Sequence, residues 1–281
     1  MDSGLYVVAT PIGNFGDMSQ RAIEVLQSAD LIAAEDTRHS QRLLQHFAID
    51  TPTMSYHDHS DERALHRIGA CLEGGGSVAL VSDAGTPLIS DPGYRLVRYV
   101  QDRGFAVRPV PGVCAAIAAL SVSGLPTDRF LYEGFLPTRE GARVNRLTTL
   151  AGESVTLIFY EAPHRIEASL GSMIQVLGAE REAVLAREIT KLFETIKRGT
   201  LAELQHFVSG DSNQQKGEIV LIVAGAPKNA TIVSPDVAAL LLRLAQELPA
   251  KQAAAVVADC SGLRKKLLYE YLIAEKNSRV E

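Results

Sequence analysis

The stretch that decides the fold is Val81-Ser82-Asp83-Ala84-Gly85-Thr86-Pro87-Leu88-Ile89-Ser90-Asp91-Pro92-Gly93. It leaves the short apolar run Val78–Val81, which reads as a buried strand, and enters a helical pattern from Tyr94 to Arg103. Two Gly and two Pro between Gly85 and Gly93 imply a shaped backbone rather than a slack one. In open α/β sheets ligands bind beyond the carboxyl ends of strands, where this loop stands. Asp83 offers a carboxylate to an amine or hydroxyl, and its small neighbours allow close approach. An ordinary strand–helix connection with Asp91 capping the next helix has the same composition, so both readings stay open here.

The same rhythm extends outward. Leu5–Ala9, Leu31–Ala34, Thr53–Tyr56 and Ala106–Val110 read as strands, and helical patterns follow at 19–28, 38–47, 61–73 and 113–122. A βαβα order predicts a largely parallel sheet with helices on its faces, over residues 1–126. From Asp128 the order loosens. Strands are expected at Phe130–Glu133, Val155–Tyr160, Ala183–Ala186, Thr195–Arg198 and Ile219–Val223, with helices at Pro163–Val176 and Leu201–Val208. That predicts a mixed α+β second domain over 127–228. Beyond it, 229–281 is expected to be a helical extension: Ser234-Pro235-Asp236 signals a helix start, Pro249 a break and Ser261-Gly262 a turn.

Bulk properties narrow the class. The 281 residues carry 46% hydrophobic and 22% charged side chains, ordinary for a globular chain, with no Trp, so the cores must be aliphatic. A net charge of −5 argues against a protein that coats nucleic acid by charge alone. Residues Arg243 to Glu281 have the opposite sign, seven basic against five acidic side chains. Cys71, Cys114 and Cys260 form no CxxC pair, and the start lacks a basic n-region. The longest uncharged run, Pro109 to Thr127, is interrupted by Pro and Gly and is too short in its apolar part to span a bilayer. A soluble, cytoplasmic protein without a membrane partner is therefore expected.

Other polar strand ends are candidates for chemistry. Thr10-Pro11-Ile12-Gly13-Asn14 and Pro111-Gly112-Val113-Cys114-Ala115 repeat the theme of a small-residue turn, the second before a helix N-terminus. Neither is GxGxxG, and no Walker lysine exists, which disfavours a Rossmann dehydrogenase or a P-loop enzyme. Glu35-Asp36-Thr37-Arg38 is either site chemistry or a set of helix-cap charges. His164 and Arg165 meet either RNA phosphate or solvent. Arg187-Glu188-Ile189-Thr190-Lys191 with Glu194 gathers carboxylates and an amine, the makings of proton transfer or of structural ion pairs. The pair His57 and His59 is too weak a signal for a metal, and none is expected.

Taken in order, LYVVATPIGN, DLIAAEDTR, VSDAGTPLISDPG, VPGVCAA, FLYEGFLP, FYEAPHR, REITKLFE and KGEIVLIVAG resemble the small-subunit ribosomal RNA 2′-O-ribose (cytidine) methyltransferases of the tetrapyrrole-methylase (class III) superfamily, over residues 5 to 225. The resemblance implies a two-domain α/β fold with S-adenosylmethionine in a cleft between the domains, commonly as a homodimer. It places the cofactor at Ile12, Asp83, Thr86, Cys114, Ala115 and Tyr160. Cys114 stands where Ser or another small residue is usual, and Ser60 where Asn is common. The extension 229–281 resembles an RNA-binding helix-turn-helix unit. The acceptor would be a ribose in the decoding region of small-subunit ribosomal RNA, naked or assembled. With Glu188 accepting the hydroxyl proton and Lys191 stabilising the developing oxyanion, the catalytic pair is Glu188 and Lys191. Two other functions remain open at this point: methylation of a small tetrapyrrole, and a non-catalytic RNA-binding ribosome factor.

Overall fold

The computed structural model describes residues 1–57, 62–227, 233 and 235–278. By contacts these fall into two units, Met1–Val122 with Ala186–Ile196 and Glu218–Val220, and Ser123–Leu185 with Lys197–Gly217 and Leu221–Glu281. The helical C-terminal residues thus group with the second unit.

In the first unit β1 (Gly4–Val8), β2 (Leu31–Ala34), β3 (Thr53–Ser55), β4 (Ser77–Val81) and β5 (Val107–Val110) form one sheet in the order β3-β2-β4-β1-β5. Every described pairing in it is parallel, with Val7 opposite Leu80 and Val8 opposite Val110. Side chains alternate between faces along each strand, and both faces are buried. Tyr6, Val8, Ile32, Ala34, Ala79 and Val81 join one core with Ala22 and Leu26 of α1 (Gln20–Ser28) and Leu44 of α2 (Thr37–His46). Leu5, Leu31, Ala33, Val78 and Leu80 join the other with Leu65, Ile68 and Leu72 of α3 (Glu62–Glu73) and Leu96 and Val100 of α4 (Tyr94–Asp102). Double-sided burial explains why β1, β2 and β4 read as continuous apolar runs. The last helix of the unit is α5 (Ala115–Ser123).

The second sheet contains β6 (Phe130–Phe135), β7 (Thr156–Glu161), β8 (Glu182–Arg187), β9 (Thr195–Thr200) and β10 (Ile219–Val223), in the order β6-β7-β10-β8-β9. Its helices are α6 (Glu140–Leu150), α7 (Ile166–Leu177) and α8 (Leu201–Gly210). A register shift between Tyr132 and Gly134 carries β6 past its expected end at Glu133. Helix α6 had no counterpart in the sequence reading. Its buried stripe is Arg143, Leu147 and Leu150, so an arginine occupies the position that a search for apolar periodicity needs. Arg143 is satisfied in the interior by Ser172 Oγ at 2.9 Å and Thr138 O at 3.1 Å.

At the C-terminal end α9 (Pro235–Glu247), α10 (Ala250–Ser261) and α11 (Lys265–Ser278) share a small core of Leu241, Ala253, Ala254, Val257, Leu268 and Leu272. Gly262 closes α10 in the left-handed conformation at φ 70°, which sets the turn into α11. Leu240 of α9 lies outside this core and is 45% exposed. Ser234 of the helix-start signal lies outside the described residues. Among the described residues no helix is long and apolar enough to cross a membrane.

Candidate active site

Strands β4, β1 and β5 are neighbours, so the three turns singled out above emerge side by side from one end of the first sheet. The chain runs outward from β1 to β2 and β3, then returns to place β4 and β5 on either side of β1. Such a reversal opens a crevice at the strand ends. The turns are tied into one piece. Thr10 N–H donates to Gly85 O at 2.8 Å, and Gly85 N–H donates back to Thr10 O at 3.1 Å. Thr86 Oγ1 donates to Val113 O at 2.8 Å, joining the long loop to the third turn. A Cβ on Gly112 would stand 2.9 Å from that of Ala9, so only glycine lets the third turn close on the first. Ile12 is packed beside Gly85. Ile12, Asp83, Thr86, Cys114 and Ala115 therefore sit on a single braced frame. Leu88 (φ 73°) and Ser90 (φ 65°) in the long loop adopt left-handed backbone that non-glycine residues avoid.

Asp83 lies within a group of carboxylates. Its Oδ1 accepts from Asp36 N–H at 3.1 Å, and its own N–H donates to Glu35 Oε2 at 3.4 Å. Asp36 itself caps α2 through Arg38 N–H at 2.9 Å, as the helix-cap reading has it. Asp91 does not cap α4; the N-cap is Gly93, with no side-chain cap bond. Burial first, then the charges of Glu35 and Asp83, push the Asp91 carboxyl from its ordinary 3.8 to about 6, against a lowering hydrogen bond from Ser82. The raised value means that the fold favours the protonated form. The resulting stability is present below pH 3.8 and is lost as pH rises through about 6. Asp91→Asn is therefore expected to stabilise the protein at pH 8 by about 1 kcal/mol, after discounting the partial exposure of the site. The gain should shrink at pH 4.5. Urea melts at the two pH values check it; an equal effect at both would remove the assignment.

The segment after β8 completes the unit. Glu188 (φ 52°) and Thr190 (φ 68°) are again left-handed non-glycine residues, so four of the five in the described chain lie in these two loops. Lys191 Nζ meets Glu188 Oε1 at 2.8 Å and Glu218 Oε2 at 3.2 Å. Glu188 Oε1 also accepts from Glu218 N–H at 2.9 Å. Burial alone would raise the Glu188 carboxyl, but the Lys191 hydrogen bond, the Glu218 amide and the charges of Lys191 and Arg187 hold it below its usual range. Burial would likewise lower the Lys191 ammonium, and its bonds to Glu188 and Glu218 outweigh that and raise it. Both groups are ionised at neutral pH. The Lys191 stem lies across Gly13: a Cβ built there would be 2.3 Å from Lys191 Cγ. Glu188 and Lys191 are thereby seated on the frame that carries Ile12.

Tyr160 belongs to the second unit, where its ring stands edge-on to Tyr132 and Phe135, with centroids 5.2 and 5.7 Å away. Arg165, read as a candidate for RNA phosphate, turns inward instead. It donates to Leu136 O at 2.5 Å and pairs with Glu161 Oε1 at 3.3 Å, whereas His164 is exposed. Glu161 is buried and also receives Ser169 Oγ and Ala162 N–H. Residues 58–61, including Asp58, His59 and Ser60, lie outside the described residues. Glu218 and Asp91 were missed by the sequence reading. Glu218 reaches the pair from 30 residues away, and Asp91 looked like a cap.

Comparison with known proteins gives consistent matches. Residues 4–205 match the family of tetrapyrrole (corrin/porphyrin) methylases, and 231–276 match the RsmI C-terminal HTH domain. A protein of Pseudomonas aeruginosa named ribosomal RNA small subunit methyltransferase I is 55% identical over 268 residues, 95% of either chain. One of the same name from Haemophilus influenzae is 51% identical over 96% of either. Among solved structures, uroporphyrin-III C-methyl transferase from Thermus thermophilus, complexed with S-adenyl homocysteine, aligns at a TM-score of 0.53 and 19% identity, covering 79% of this chain and 97% of that one.

Proposed function

The chain belongs to the tetrapyrrole (corrin/porphyrin) methylases, and from that premise we propose that it transfers the methyl group of S-adenosylmethionine to a cytidine ribose 2′-hydroxyl in the decoding region of small-subunit ribosomal RNA. The observation that carries the mechanism is the seating of Lys191 on Gly13, which fixes a proton-handling pair to the loops at the strand ends.

The frame suits the donor chemically. The turns stand at the carboxyl ends of parallel strands, where such sheets bind ligands, and the Asp83 carboxylate suits the hydroxyls or amine of an adenosine. Ile12, Asp83, Thr86, Cys114 and Ala115 would hold it, and the family resemblance adds Tyr160. Bound there, the donor would supply an electrophilic methyl on a sulfonium, its S–CH3 bond giving way to the new O–CH3 bond and the sulfur leaving as the neutral thioether of S-adenosylhomocysteine. What remains for the protein is to orient the ribose and take its proton. Glu188, kept ionised, accepts the 2′-hydroxyl proton at a carboxylate oxygen. A carboxylate of lowered basicity suffices, because the proton moves to it as the oxygen bonds the methyl and no free alkoxide has to form. Lys191 compensates negative charge on that oxygen. The single-turnover rate set by this pair is expected to stay flat from about pH 6 to 9, since each group titrates outside that window by the directions given. A half-titration at pH 7 to 8 that vanished in Glu188→Gln would contradict the assignment.

Exposed Arg264, Lys265 and Lys266 at the start of α11 supply a basic surface for RNA in residues 229–281. A homodimer fits α5, whose composition is apolar all round yet leaves Ile117 and Val122 50% and 55% exposed. An enzyme that acts on ribosomal subunits would work in the cytoplasm. Labelled S-adenosylmethionine offered with unmodified small subunits, and separately with a uroporphyrinogen-type substrate, tests the proposal. Label is expected on a ribose of the subunit RNA; label on the tetrapyrrole alone would reassign the enzyme.

A further inference from the structure

The two residues that follow Lys191 are strongly exposed apolar side chains: Leu192 is 89% exposed and Phe193 68%. Single exposed apolar residues are common on protein surfaces. These two differ in standing on a backbone that is pinned throughout. Arg187, itself buried, donates to Phe193 O at 3.0 Å and to Thr195 Oγ1 at 3.2 Å. Thr190 N–H donates to Glu194 Oε2 at 2.7 Å, Lys191 N–H to Glu188 O at 2.9 Å, and Glu194 N–H to Lys191 O at 3.1 Å. With Glu188 and Thr190 also held at positive φ, this loop spends its local order on presenting a bare ring to solvent beside the catalytic pair.

Resting on the reading that the acceptor is an RNA ribose, we propose that Phe193 is a positioning residue whose ring face stacks the base of the target nucleotide, with Leu192 covering its edge. The dimensions agree. The base and the 2′-oxygen of a nucleotide stand on adjacent sugar carbons, and two residues of chain reach at most ~7 Å. A ring two residues from Lys191 can therefore take the base while Lys191 and Glu188 meet the hydroxyl. RNA is read chiefly through unstacked bases laid on aromatic side chains. The proposal adds a source of substrate affinity that leaves the cofactor frame untouched.

Single-turnover methylation of unmodified small subunits, with subunit concentration varied, tests this in the full-length protein. Phe193→Ala is expected to raise the half-saturating subunit concentration about 10- to 100-fold, the range of one stacked base, with the affinity for S-adenosylhomocysteine unchanged by calorimetry. Phe193→Tyr should restore it, and Phe193→Leu, equally apolar but without a ring face, should not. Rescue by Leu equal to that by Tyr would overturn stacking. So would an unaltered Phe193→Ala enzyme, or a change of oligomeric state on sedimentation, which would make the ring a contact between copies. A wild-type protein that binds the cofactor but leaves the subunits unmethylated would overturn both this inference and the substrate reading beneath it, whereas the Phe193 outcomes overturn the inference alone.

Discussion

Gly13→Ala is expected to slow single-turnover methyl transfer by about 10²-fold or more, approaching the loss from Lys191→Ala itself. The added methyl would have to occupy space 2.3 Å from Lys191 Cγ and 2.9 Å from its Cε. The obstruction is the stem of the side chain along its length, so a small adjustment at the tip does not relieve it. Lys191 must leave the turn, and its contacts at 2.8 Å with Glu188 and 3.2 Å with Glu218 go with it. Removal of a positioned acid–base group usually costs 10²- to 10⁴-fold, and Glu188→Gln should fall in that range too. Because both substitutions act through one side chain, the Gly13→Ala, Lys191→Ala double variant should be little slower than either alone. Affinity for S-adenosylhomocysteine, measured by calorimetry, should change only a few-fold. Additive losses in the double variant would show that Gly13 acts through the cofactor loop instead.

The second large effect concerns stability. Glu161→Ala is expected to cost about 3–5 kcal/mol of unfolding free energy, because it leaves the Arg165 guanidinium without its countercharge in a site where that side chain is only 16% exposed. The same change strips acceptors from Ser169 Oγ and Ala162 N–H. Urea denaturation of the variant checks it. A loss below about 1 kcal/mol would mean that the interior relaxes around the arginine, and that the FYEAPHR segment has a role other than bracing the second unit.

The contrast between these two sites shows what can be read from residues in order. Strands β1, β2 and β4 are buried on both faces, so their apolar runs announce them directly, and the glycines and prolines at their ends announce turns. Asn14, Asp36 and Thr200 accept bonds at helix starts, as their residue types favour. Helix α6 was silent because Arg143 fills a core position, and no hydropathy pattern marks a buried arginine whose partners, Ser172 and Thr138, are known only once the chain has folded. The Glu188–Lys191 pair was legible as local sequence. Its third member Glu218 was not, since the hydrogen bonds between residues 188 and 218 follow from strand placement. Nor was the part played by Gly13, which depends on a loop 178 positions away. Asp91 misled for the opposite reason: an aspartate three residues before a helix looks like a cap, and only burial near Glu35 and Asp83 gives it another character.

The most direct measurement is a crystal structure of the protein soaked with S-adenosylhomocysteine. The ligand is expected at the ends of β4, β1 and β5, against Ile12, Asp83, Thr86, Cys114 and Ala115, with its sulfur on the side of Lys191. Ligand bound elsewhere while those turns stay packed on one another would contradict it.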